Sequence, residues 1–220
     1  PFTLGVIPTI APYLLPAVLP GLRKAYPSLE LFLREDQTER LIDRLRAGAI
    51  DAALMALPWD TGELTVRELF NDEFWLVARE DDPIVSDDSV AVRGLDLSRL
   101  VLLEEGHCLR DHAISVCGKR AIGMSPAIEA TSLATLIQMV DGGLGITLLP
   151  EMTLKSGILR GTKLIARPFS TQVPSRTIAL VTRPTSARED DFQRLADYIE
   201  DAVRDSARPR VASRNPARRA

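Results

Sequence analysis

Three short apolar runs alternate with two helical patterns over the first 57 residues, and that order restricts the chain to a sheet covered by helices. Residues 2–7, 29–34 and 50–57 have the composition of strands, and the patterns at 10–25 and 36–47 lie between them. A β-α-β-α-β order implies parallel strands with crossover helices. The second helix carries Leu41, Ile42 and Leu45 on one face and stops at Gly48. Thr9 reads as the N-cap of the first. That helix contains Pro12, Pro16 and Pro20, which predict a break or kink.

Further strands are expected at 64–70, 74–78, 100–103, 145–149 and 176–182, with an extended segment at 126–130. Residues 107–117 read as a helix. So do 132–140, with an apolar stripe at Leu133, Leu136, Ile137 and Val140, ended by Gly142-Gly143. The pattern at 188–204 turns Phe192, Leu195, Ala196 and Ile199 inward. Residues 206–220 hold five Arg, two Pro and no acidic residue, and read as a disordered basic tail. The chain opens on Pro1 directly before a strand, so a fragment of a longer protein is expected.

Composition narrows the function classes. The net charge is −3, so the 220 residues carry no overall basic field of the kind nucleic acid attracts. No apolar run approaches the roughly 18–20 residues of a membrane span. Two cysteines are too few for a disulfide scaffold. Both cysteines and both histidines, however, fall within residues 107–117. Cys108 and His112 stand four apart, but the common zinc spacings are absent, and no metal site is expected. Gly143-Leu144-Gly145 follows a helix rather than a strand, so it is a turn and not a dinucleotide loop. No cofactor is expected.

Three segments carry a family resemblance. The first is Leu14-Leu15-Pro16 through Tyr26-Pro27 ahead of a strand. The second is Leu45-Arg46-Ala47-Gly48-Ala49-Ile50-Asp51-Ala52-Ala53, and the third runs from Val140-Asp141-Gly142-Gly143 to Leu148-Leu149-Pro150. In this order and spacing the chain resembles, over about residues 2–200, the effector-binding domain of LysR-type transcriptional regulators. The resemblance implies an α/β fold of two Rossmann-like subdomains joined by two crossover strands, like type 2 periplasmic-binding proteins. The crossovers are expected near 70–78 and 174–182. Subdomain I would be 1–74 plus 176–205, and subdomain II, with the cysteines, 75–175. The family's N-terminal winged helix-turn-helix has no counterpart here.

The run Leu103-Glu104-Glu105-Gly106-His107-Cys108-Leu109-Arg110-Asp111, with Cys117 and Ala130-Thr131-Ser132 after it, resembles the hydrogen-peroxide-sensing members of that family. By that resemblance Cys108 is the peroxidatic and Cys117 the resolving cysteine of a reversible disulfide. Thr9, Thr38, His107, Arg110, Asp111, Thr131, Ser132 and Arg176 would line or border the peroxide pocket. The implied partners are hydrogen peroxide, promoter DNA through the missing domain, RNA polymerase, cellular thiol reductants and further copies of the chain, as dimers of this domain and tetramers of the whole. A cytoplasmic, non-enzymatic activator is implied. His112 and the stretch 118–125 depart from the family pattern; His112 reads as a surface residue. The alternative is a small-molecule effector domain with structural cysteines.

The residues also speak for themselves. Nine positions along a helix separate two residues by about 13.5 Å and half a turn. A disulfide needs Cα atoms roughly 4.4–6.8 Å apart. If Cys108 and Cys117 pair, the helix between them must unwind, which makes the segment a two-state element. A helix N-terminus, with His107 and Arg110 nearby, is expected to lower the Cys108 thiol pKa, against Glu104 and Glu105.

Overall fold

A computed structural model describes residues 1–116, 128–171, 173–184 and 188–207. Cys117, the stretch 118–125 and the tail beyond 207 therefore lie outside the described residues. In chain order the structure begins with β1 (Phe2–Val6), α1 (Ala11–Ala25), β2 (Leu31–Glu35), α2 (Thr38–Arg46) and β3 (Ala52–Leu57). β1 pairs in parallel with both β2 and β3, as the alternating pattern predicts.

α1 is assigned as one helix despite its prolines. Pro12, Pro16 and Pro20 recur every four residues on its exposed face. There a carbonyl deprived of its N–H partner can be met by water, while Leu14, Leu15, Val18 and Leu22 are buried on the other side. Thr9 is not its N-cap. Ile10 occupies that position and has no side-chain group to cap with, while the Thr9 hydroxyl accepts from Arg176.

The expected strands at 64–70 and 74–78 are one long strand, β4 (Thr65–Arg79). The polar run Asn71-Asp72-Glu73, which separates the two expected strands, continues the ladder. β4 pairs antiparallel with β9 (Ser175–Thr182) over Thr65–Glu73, across a register shift between Glu68 and Phe70. From Phe74 onward it pairs antiparallel with β7 (Thr147–Pro150), and from Trp75 with β8 (Leu164–Pro168). The sheet order is β2-β1-β3-β9-β4-β7, with β8 also on β4. Within this sheet only β2, β1 and β3 pair in parallel; β9 enters antiparallel to β3. β8 and the short helix α5 (Glu151–Lys155) have no counterpart in the sequence reading.

A second, two-stranded sheet pairs β5 (Leu102–Leu103) in parallel with β6 (Glu129–Ala130). α3 (Cys108–Val116) follows β5. α4 (Leu133–Asp141) has Ser132 as N-cap, its hydroxyl accepting from the Thr135 amide at 3.2 Å. It closes with a Schellman pair, Leu144 N–H to the Met139 carbonyl and Gly143 N–H to the Val140 carbonyl, with Gly143 at φ +85°. α6 (Glu189–Ala207) returns to pack on α1, and its Phe192 ring meets that of Phe2 on β1 edge to face at 5.7 Å.

The buried apolar residues form two clusters. One joins β1, α1, α2, β3, β9 and α6; the other joins the second half of β4 to α3, α4, β7 and β8. β4 runs through both. Among the described residues no helix is long and apolar enough to cross a membrane.

Candidate functional site

α3 sits where the two clusters meet, and its faces are divided between them. Leu109 and Ala113 pack with the second cluster, whereas the Cys108 side chain packs with the first. Helical spacing puts His112 on the Cys108 face. The turn before α3 closes with His107 N–H to the Glu104 carbonyl, and Gly106 within it has φ +91°. An L side chain there would be strained and would meet the Gln37 side chain at 2.8 Å. Gly106→Ala is therefore expected to cost about 1–2 kcal/mol in urea unfolding, and to slow alkylation of Cys108 by pushing Gln37 into the cleft.

That cleft is small. Ile7, Pro8 and Thr9 from the β1–α1 junction, Gln37 and Thr38 from the start of α2, and Gly106, His107 and Cys108 line it. Cys108 is 2% exposed. Burial pushes its pKa up, against the Arg176 charge and the Thr38 hydroxyl, which favour the thiolate. The lowered thiol pKa expected from the helix terminus is thus reversed: taking the anion out of water outweighs the fixed dipoles. Thr38 is 1% exposed, and its Oγ1 has no nitrogen or oxygen partner among the described residues.

Behind the thiol lies a buried ion pair. Arg176 on β9 donates from Nε and Nη2 to Asp72 Oδ2 at 3.1 and 3.0 Å. Its Nη1 donates to Thr9 Oγ1 at 2.9 Å, and Nη2 also donates to the Thr9 carbonyl at 3.1 Å. Asp72 Oδ1 accepts from the Met152 amide at the start of α5, at 2.9 Å. The pair is a cross-strand one, with Asp72 opposite Arg176 in the β4–β9 register. It ties the β1–α1 junction, β4, α5 and β9 together beside Cys108.

The other residues of the expected pocket divide. His107 is buried, and its pKa is lowered by burial, which outweighs the opposing Glu104 carboxylate at 4.0 Å. It is neutral at pH 7. Asp111 is exposed on the first turn of α3; partial desolvation raises its pKa, against Arg110. Arg110 is turned the other way: it pairs with Glu129 and donates to the Leu103 carbonyl at 3.1 Å, holding β5 and β6 to α3. Thr131 and Ser132 are exposed at the start of α4, where Ser132 caps the helix. So Thr9, Thr38, His107 and Arg176 are gathered around Cys108, Asp111 is at the rim, and Arg110, Thr131 and Ser132 are not.

Sequence reasoning missed Asp72, Gln37 and the burial of His112. His112 is 4% exposed, not at the surface. Desolvation and the nearby Arg176 charge lower its pKa to about 4. Its position one turn after Cys108 was the available signal. Asp72 offered none, because its partner is 104 residues away. No group of three or more metal-ligating side chains occurs among the described residues.

Comparison with known proteins adds the following. Residues 1–204 match the family model described as the LysR substrate binding domain. The chain is 42% identical over 201 residues to a probable hydrogen peroxide-inducible genes activator of Mycobacterium avium, covering 91% of this chain and 64% of that protein. It is 39% identical over 197 residues to the HTH-type transcriptional regulator EstR of Acinetobacter baylyi, covering 90% of this chain and 65% of that protein. Both relatives are thus about half as long again as the stretch matched. Among solved structures, a hydrogen-peroxide-bound cysteine mutant of Corynebacterium glutamicum OxyR superposes with a TM-score of 0.87 at 34% identity, covering 94% of this chain and 65% of that one.

Proposed function

The chain belongs to the LysR substrate-binding domain family, and from that premise we propose that it is the peroxide-sensing regulatory part of a transcriptional activator. Its curated relatives are named as regulators, not enzymes. One observation carries the reading: Cys108, the first residue of α3, lies at the meeting of two cores among Thr38, His107 and Arg176. The two buried clusters support a division near residues 1–74 plus 176–205 and 75–175.

The chemistry proceeds in two steps. The Cys108 thiol loses its proton, with Arg176 and Thr38 favouring the thiolate. The thiolate attacks one peroxide oxygen; an S–O bond forms, the O–O bond breaks, and the leaving hydroxide takes up a proton as water. Sulfur is oxidised to the sulfenic acid and the peroxide is reduced. The Cys117 sulfur then attacks the sulfenic sulfur, the S–S bond forms, and the second oxygen leaves as water. Thr9, Thr38 and His107 hold the peroxide and its leaving oxygen, with Asp111 at the rim. Arg110, Thr131 and Ser132 serve the scaffold of α3, β6 and α4.

The step is coupled to conformation. From Cys108 to Val116 an intact α3 rises about 12 Å, more than the roughly 4.4–6.8 Å that a disulfide allows between Cα atoms. Pairing with residue 117 therefore requires α3 to unwind and Cys108 to leave the first core. The altered surface would change how copies of the whole protein associate and bind promoter DNA in the cytoplasm. RNA polymerase would follow as a partner, and thiol reductants would reset the switch.

A second reading, an effector-binding domain with inert cysteines, is favoured by the burial and raised pKa of the Cys108 thiol and by the similarity to EstR. One experiment separates the two. The reduced chain is treated with micromolar peroxide, denatured, alkylated and digested. A crosslinked peptide joining Cys108 and Cys117 is expected. Two alkylated thiols from a chain that stayed folded during the peroxide treatment would sink the sensor reading.

A further inference from the structure

His112 presents an unusual feature on the face of α3 that holds Cys108. Its Nε2 stands 3.5 Å from the Pro58 carbonyl oxygen, between β3 and β4. A carbonyl only accepts, so Nε2 carries the hydrogen and Nδ1 presents a lone pair. That lone pair is buried and unpartnered. Thr38 Oγ1 is the only other such side-chain nitrogen or oxygen among the described residues. A buried acceptor left unmet has lost its water and gained nothing in exchange, a cost recovered only when solvent or a donor reaches it.

The charges around the ring are few. Arg176 on β9 acts on it directly and opposes a second positive charge; Asp72 on β4 is already bound to Arg176. Tyr13 on α1, which also feels Arg176, stays neutral, its pKa pushed up to about 12. Within α3, Cys108 is a buried thiol and Asp111 is exposed. No carboxylate among the groups acting on His112 stabilises an imidazolium there.

We propose that His112 is a proton-linked latch of the redox switch: neutral and wedged against Pro58 while α3 is in place, protonated once α3 is released. This rests on the reading above, in which the disulfide displaces α3. With α3 in place, burial and Arg176 hold the imidazole near 4, against 6.5 for a free one. The released state binds the proton more readily, so acid favours release, across the window from about pH 6.5 down to about 4. The balanced exchange is protein dithiol plus glutathione disulfide plus one proton at His112, giving protein disulfide, imidazolium and two glutathione thiols.

The test equilibrates the 220-residue chain with reduced and oxidised glutathione between about pH 7.5 and 5.5 and counts the Cys108–Cys117 disulfide by mass. An ordinary dithiol takes up no net proton in this exchange below its thiol pKa values, so its equilibrium constant is flat. With the latch the constant rises about tenfold on acidification. In His112→Gln the rise is lost. His107 is the competing source, because burial lowers its pKa too, so His107→Gln must keep the rise. A flat wild-type profile with disulfide present overturns the latch and leaves the disulfide reading standing. No disulfide at any pH overturns both. Should His112→Gln not fold, NMR of the two wild-type histidines decides: His112 must titrate near 6.5 only in the oxidised chain, and equal titration in both states overturns the latch.

Discussion

Cys108→Ser is expected to abolish the peroxide response, with no crosslinked peptide and no oxidised Cys117 at micromolar peroxide. The serine hydroxyl is nearly the same size, so the chain still folds, but it offers no polarisable anion to attack the O–O bond. Cys117→Ser is expected to behave differently. Peroxide still reaches Cys108, and the sulfenic acid accumulates because nothing condenses with it, so intact-mass spectra gain one oxygen, and a dimedone-type reagent adds to the sulfenic sulfur with loss of that oxygen as water. The asymmetry is the informative part. Inert cysteines predict small and similar effects of both substitutions, and neither variant would take up the reagent.

Breaking the Arg176–Asp72 pair is expected to have the largest effect on stability. The Arg176 side chain is fully buried and that of Asp72 is 2% exposed, so removing one partner strands a charge in the interior. Asp72→Ala should lower the unfolding free energy by about 3–5 kcal/mol, measured by urea titration of the reduced chain. Arg176→Met strands Asp72 instead and also removes the charge that favours the Cys108 thiolate. It should both destabilise and slow peroxide oxidation at pH 7. Combining Asp72→Leu with Arg176→Met is expected to recover most of the stability, since a matched apolar pair avoids the desolvation cost, but not the oxidation rate. Recovery of the rate as well would show that Arg176 acts only as a strut and plays no part in the thiol's electrostatics.

Local signals were read where the forces are local. The β1-α1-β2-α2-β3 order and the Gly142-Gly143 stop of α4 depend on neighbours within a few residues. β4 defeated the pattern because its polar middle, Asn71-Asp72-Glu73, is where the strand passes from one core to the other. There Asp72 meets Arg176 rather than water. The prolines of α1 point to a break that does not occur: Pro12 lies in the first turn, and Pro16 and Pro20 face solvent, where the freed carbonyls can meet water.

The candidate site shows the same division. Sequence by itself determined which residues are available for redox chemistry, because both cysteines and both histidines fall in one helix-forming window. It also determined that a disulfide across that window is incompatible with the helix, a matter of rise per residue. Only the tertiary structure decided the electrostatics. A helix terminus beside basic residues predicts an acidified thiol, and a histidine on a short helix reads as solvent-facing. Both inferences fail once α3 is wedged between two cores, which buries Cys108 and His112 and disfavours charge on each. Desolvation depends on everything packed around a group, and here much of that comes from strands and loops more than 50 residues away in sequence: Pro58 over His112, and Arg176 near both.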